Sequence, residues 1–199
     1  MKLGGRSVTV VLICAALLAP GCVAKKYPDK SRYLIEPATP AAARSLEEVV
    51  RLERVRVSPL YDSKGFVYRL GSGRYETDYY NEFYAFPGTM FGEVILDWLR
   101  EAHVFSELRG PDDPAPTNVL LAARIDRLHA DLSDRKQPRA VLAMTFELRR
   151  ADAKAGGGGE ALVYESSVPT TGSQPQALLD GWSAALTEIL RRLARDLRA

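Results

Sequence analysis

NVLLAARIDRLHADLSDRKQPRAVLAMTFEL, residues 118–148, holds two runs of alternating apolar residues separated by a polar turn. In the first run Val119, Leu121, Ala123 and Ile125 share one phase, and the phase slips by one at Leu128 and Ala130. Side chains alternate across a strand, so a slip that keeps the apolar face intact requires one extra residue, and a bulge is expected near Asp126. In the second run Ala140, Leu142, Met144, Phe146 and Leu148 alternate without a break. A third run over 161–168 follows the loop that contains Gly156 to Gly159. Three such runs joined by turns read as an antiparallel meander with one buried face.

Helical periods flank the meander. Downstream, Leu178, Trp182, Ala185, Leu186, Ile189, Leu193 and Leu197 recur at helical spacing, Ser173-x-x-Gln176 has the pattern of a capping box, and Pro175 suits a first turn. Upstream, the period changes at Phe86-Pro87-Gly88-Thr89, after which Met90, Phe91, Val94, Ile95, Trp98 and Leu99 form an apolar stripe with Thr89 as the expected cap. The fold class expected is therefore α+β, a mixed, largely antiparallel sheet with two amphipathic helices packed on one face.

Ahead of the first helix, residues 54–60 and 66–70 alternate around the turn Asp62-Ser63-Lys64-Gly65 and read as a hairpin. Gly71-Ser72-Gly73 turns again into residues 75–86, YETDYYNEFYAF, which set six rings among three acids. Rings are unfavourable in water and acids in a core, so this segment belongs at a boundary. As a strand it places Tyr75, Thr77 and Tyr79 on one face and Arg74, Glu76, Asp78 and Tyr80 on the other. Half-buried rings between strand and helix account for most of it. Tyr79, Tyr80, Phe83 and Tyr84 are the candidate partner-binding residues, because aromatic side chains supply large, rigid contact area.

The amino terminus reads as an export signal: Lys2 and Arg6, a mostly apolar run over 7–19, then Ala19-Pro20-Gly21-Cys22. Cleavage before Cys22, as at a bacterial lipobox, would leave that cysteine as the lipid-attachment residue. Cleavage after Ala24 would instead leave a soluble secreted chain. Cys14 departs with the leader in either case, so no intrachain disulfide is available. Removing Lys2 and Arg6 brings the 27 basic residues to 25, equal to the 25 acidic ones, and the neutral chain offers no overall electrostatic case for nucleic acid. The organisation expected is a signal peptide over 1–21, a lipidated tether over 22–51 with a short strand near 33–35, and one domain over 52–199.

Reactive groups are sparse. His103 at the end of the first helix and His129 in a strand are the only histidines, and both read as structural. No Gly-x-Ser-x-Gly elbow is present, and Gly156 to Gly159 lacks the Gly-Lys-Ser/Thr that a phosphate loop needs. The expectation is a non-enzyme with no catalytic residues, no metal and no cofactor. A periplasmic hydrolase would require a pocket that gathers His103 or His129 with a serine or carboxylates.

Tyr33-Leu34, Phe66-Val67-Tyr68-Arg69, the run from Tyr75 to Phe83 with Pro87, Trp98-Leu99, and Phe105 to Leu108 together resemble the ABC-type transport auxiliary lipoproteins, the family of paraquat-inducible protein C-like chains. Where many members carry an Arg-Trp-Ala-Glu-Pro type run this chain has Tyr80-Asn81-Glu82-Phe83, which marks a branch of that family. The resemblance implies a lipoprotein that works with an MCE-domain protein, a permease and an ATPase in moving lipids between inner and outer membranes, with homo-oligomers possible. With Val23 after Cys22, it also implies sorting to the periplasmic face of the outer membrane through the acyl anchor. An assembly or activator lipoprotein for another envelope machine is the alternative.

Overall fold

The computed structural model describes residues 29–41, 45–152, 159 and 161–198. In chain order they form β1 (Ser31–Tyr33), β2 (Leu46–Leu52), β3 (Arg56–Val57), a 3-10 turn (Pro59–Tyr61), β4 (Gly65–Gly71), β5 (Arg74–Phe83), α1 (Pro87–Glu101), β6 (Phe105–Arg109), β7 (Val119–Asp131), β8 (Arg139–Arg150), β9 (Ala161–Pro169) and α2 (Pro175–Asp196). The expected leader, the lipid-attachment residue Cys22 and the first part of the tether lie outside the described residues.

β7 organises the sheet. Along one edge it pairs antiparallel with β8 over nearly its full length, and β9 extends the meander beyond β8. The register shifts between Ile125 and Arg127, where the phase slip places the bulge. The Thr145 hydroxyl donates to the Asp126 carboxylate at 2.6 Å and Arg124 pairs with it at 2.7 Å, so the extra residue is held by polar contacts on the solvent side. The other edge of β7 is shared in succession by β2, β3 and β4, each parallel to it. β6 lies outside β2, β5 outside β4 and β1 outside β5. The sheet is mixed, and its long ladders are the antiparallel ones.

Two expectations about the first third of the domain change. Residues 54–60 do not form a hairpin with 66–70; β3 and β4 both run parallel to β7, joined by the 3-10 turn at Pro59. Alternation reports which face of a strand is buried, and either neighbour satisfies it. β2 likewise falls within the expected tether, yet Val50 and Leu52 are buried, and residues 46–52 form a strand between β6 and β7. The chain is already part of the domain at β1. From there a strap crosses α2, where the amides of Glu36 and Ala38 donate to the Ser183 and Thr187 hydroxyls, and Trp98 Nε1 of α1 donates to the Ala38 carbonyl at 2.8 Å.

Both helices bury their stripes in one hydrophobic cluster on the same side of the sheet. Neither begins with the expected side-chain cap: Phe86 and Gln174 occupy the N-cap positions, Pro87 and Pro175 open the first turns, and no side-chain cap hydrogen bond forms. A proline at the first helical position presets φ and has no N–H to satisfy. α1 ends through backbone alone. His103 adopts φ 48, its amide donates to the Arg100 carbonyl and that of Val104 to Leu99, while the buried Val104 completes the hydrophobic contact. His103 therefore serves by its backbone in the left-handed position usually given to glycine. Gly181 of α2 is set by contact, since a Cβ there would lie 2.6 Å from the Ala140 Cβ of β8.

Candidate functional site

The end of β5 divides the aromatic run between core and solvent. Asp78 makes the division: its carboxylate accepts the amides of Tyr80 and Asn81 at 2.7 and 3.0 Å and the Tyr68 hydroxyl at 2.6 Å. The backbone turns there, and the pairing with β4 jumps from Val67 opposite Thr77 to Gly65 opposite Glu82. Gly65 is required at this crossing, because a Cβ would stand 2.4 Å from the Asp78 carbonyl oxygen. Burial works against ionisation of Asp78, but the hydrogen bonds from Tyr68, Asn81 and the two amides outweigh it and hold the carboxyl below its ordinary range. Burial, reinforced by this carboxylate, pushes the Tyr68 phenol well above its ordinary value. Strict alternation thus stops at the middle of β5, and the rings beyond it are sorted by the kink.

Phe83 turns inward. It is 2% exposed and stacks in a tilted geometry with Phe66 at 4.7 Å and Trp182 at 5.5 Å between ring centroids. Its expected part in a partner surface is corrected to a part in the core. Tyr79, Tyr80 and Tyr84 are exposed, at 69, 38 and 60%. The structure adds Phe86 at 54% and Leu34 at 49%. The Tyr84 amide donates to the Tyr33 carbonyl, which continues the parallel β1–β5 register and sets Leu34 beside Tyr84. A signal for this side was present in Lys30-Ser31-Arg32-Tyr33-Leu34, whose alternation puts two cations and Leu34 on one face of β1.

Cations interleave with these rings. Lys30 Nζ lies 4.6 Å from the centroid of Tyr79, and Lys64 Nζ lies 5.5 Å from that of Phe86 while donating to the Tyr84 carbonyl. Glu82, 8% exposed, accepts from Lys30 at 3.0 Å and from Arg32 at 3.1 Å, latching β1 to β5. These two charge-assisted hydrogen bonds hold its carboxyl below the usual carboxylate range. Beside Phe86 a groove of about 630 Å³ runs between residues 52–57 and the start of α1, with Asp62 and Glu93 among its walls.

The two histidines stay apart from this edge. His103 is exposed at the end of α1. His129 is buried on the opposite face of the sheet from the helices, stacked on Tyr61 and edge-on to Tyr75, in a hollow of about 420 Å³ that also receives Arg69, Asp131, Glu165 and Ser167. Burial pushes its imidazole below the ordinary value, with Asp131 opposing. Ser167 accepts from Arg139 at 2.7 Å, Asp131 pairs with Arg69 at 2.9 Å and Glu165 with Arg127 at 3.0 Å. His129 Nδ1 has no hydrogen-bond partner among the described residues, so serine, histidine and carboxylate share a hollow without the linked hydrogen bonds of a nucleophile and its base. No helix among the described residues is long and apolar enough to cross a membrane.

Residues 33–194 match the family described as the ABC-type transport auxiliary lipoprotein component, a span from β1 nearly to the end of α2. The chain belongs to that family. A crystal structure of a DUF330-family protein from Xanthomonas campestris superposes with a TM-score of 0.71 at 13% identity, over 82% of this chain and 92% of that one. A second crystal structure, of an uncharacterized protein, gives 0.63 at 13% identity, covering 85% and 99%. Both are likenesses of fold. No curated protein matches. Membership makes the chain an auxiliary lipoprotein component of ABC-type transport, held at the cell envelope by its lipid.

Proposed function

We propose that this auxiliary lipoprotein serves an MCE-type lipid transporter, anchored by acylated Cys22 to the periplasmic face of the outer membrane and working with an MCE-domain protein, a permease and an ATPase. The observation that carries the reading is the family match, which spans almost the whole folded domain. Three features support it. The apolar amino-terminal run leads to Gly21, with Cys22 and Val23 following. Among the described residues the first strand, β1, is an edge strand that starts nine residues after Cys22. The hollow around His129 spends its serine and carboxylates on arginines, consistent with a non-enzymatic role. Several acyl chains hold a protein on a bilayer firmly, since each buried methylene contributes about 0.8 kcal/mol.

Metabolic labelling with a clickable fatty acid should mark the wild-type chain and leave Cys22→Ala unmarked. An unmarked wild type, or a processed chain beginning at Lys25 by mass spectrometry, overturns the anchor. Cross-linked membranes should yield the MCE-domain protein with the tagged chain; recovery of a cell-wall synthase or an outer-membrane assembly factor in its place overturns the transport assignment.

A further inference from the structure

The exposed aromatic edge lies where the chain enters the domain. Lys30 follows Cys22 by eight residues, and an extended chain spans about 3.5 Å per residue, so a sulfur held at the membrane is within about 28 Å of Lys30. A folded domain of this length has a radius of gyration of about 15 Å and therefore a diameter of about 40 Å. The tether is shorter than the domain is wide. An anchored domain cannot turn its β1 corner to the side far from the bilayer, and Lys30 at that corner already touches the ring of Tyr79.

We propose that Tyr79, Tyr84, Phe86 and Leu34 lie in the phospholipid headgroup layer, with Lys30, Arg32 and Lys64 at the level of the phosphates. The proposal rests on the reading that Cys22 carries the acyl chains. Its chemistry comes from the edge itself. Tyrosines combine an apolar body with a polar tip, and lysine and arginine stems lie along apolar surface while their charged heads reach outward, the combination that suits a membrane–water boundary. The centres of protein interfaces are instead depleted in lysine. Here Lys30 and Lys64 stand over exposed rings, and Arg32 flanks them on β1. Asp29 precedes Lys30, Glu82 is shared by Lys30 and Arg32, and Asp62 lines the groove beside Phe86. The edge is therefore close to neutral, and ring insertion rather than attraction to anionic lipid supplies most of the contact.

Because Cys22 is blocked by lipid, a cysteine introduced at Tyr84→Cys takes a nitroxide label alone. The acylated chain is placed on vesicles of phosphatidylethanolamine and phosphatidylglycerol, and collisions of the label with a water-soluble nickel chelate are compared with those of a label at Val163→Cys on β9. The expected result is a several-fold drop at 84 on vesicles relative to detergent solution, with 163 unchanged. Equal exposure at both positions overturns the proposal. So does shielding of 84 that appears only when the purified MCE-domain protein is added, which would make a protein the occupant. Flotation reports separately on the anchor: a chain that fails to float and carries no acyl mass on Cys22 overturns the anchor and this orientation with it. A chain that floats with 84 open to the chelate overturns the orientation alone.

Discussion

Phe83 and Tyr84 are neighbours in sequence and opposites in the fold. Phe83 closes an interior cluster with Phe66 and Trp182, while Tyr84 stands on an open edge with Leu34 and, through Lys64, Phe86. The chemistry of the two groups is nearly the same. What separates them is what lies on either side of β5: α2 presents Trp182 to one face, and among the described residues no helix covers the other. Apolar surface stabilises a fold only where folding removes it from water, so the first group contributes to stability and the second contributes little.

Truncation should expose this difference most strongly. Phe83→Ala removes a fully buried ring and is expected to lower stability by about 3–5 kcal/mol, read from the urea midpoint with an unchanged slope. Gly181→Ala tests the cover above that ring, one residue before Trp182. The added methyl meets Ala140 at 2.6 Å and Thr170 at 2.8 Å, and overpacking of about 1–3 kcal/mol should exceed the roughly 1 kcal/mol that alanine gains over glycine within a helix. A more stable variant would show that α2 can lift from β8.

Glu82→Gln removes the latch between β1 and β5 and should act through pH. The Glu82 carboxyl titrates lower in the folded chain than its ordinary 4.5, so it contributes stability that is present above about that pH and lost as pH falls through the folded value. The variant should be less stable than wild type at pH 7, and the two curves should converge as the pH falls through the lowered folded value of Glu82. Parallel curves would show that Lys30 and Arg32 do not hold the edge. His103→Gly is expected to raise stability by about 0.5–1 kcal/mol in thermal unfolding, because glycine adopts the left-handed end of α1 without strain. Tyr84→Ser should change stability by less than about 0.5 kcal/mol while reducing contact with vesicles. A loss comparable to that of Phe83→Ala would place Tyr84 in the core and erase the comparison.

Much of the architecture was legible along the chain. The meander, the slip at Asp126, the stripes of both helices and the proline in the first turn of α2 are local signals, and each survives in the fold because burial and backbone geometry reward the pattern that the residues carry. The hairpin expected over 54–70 did not form, since β3 and β4 satisfy their alternation equally well beside β7. The strand at 46–52 reads as tether in the sequence because its charged residues, Glu47, Glu48 and Arg51, mask the short apolar pair at Val49 and Val50. At the candidate edge, aromatic density points alike to Tyr79, Tyr80 and Tyr84, which are exposed, and to Phe83, which is buried. Density cannot give the direction of a ring, and the Asp78 kink that sets it depends on Tyr68 arriving from β4.

By itself the sequence determined the class of fold, the family signature, the equal numbers of acidic and basic residues from Cys22 onward, and the short distance between Cys22 and the first strand. Those are properties of composition, period and spacing, which need no partner segment to define them. Tertiary structure alone decided that three short strands share one edge of β7, that Glu82 gathers Lys30 and Arg32 from across fifty residues, and which rings meet Trp182 and which meet water. These outcomes depend on segments far apart in the chain coming together, and the identity of the neighbour across a strand or above a ring is not written in either segment alone.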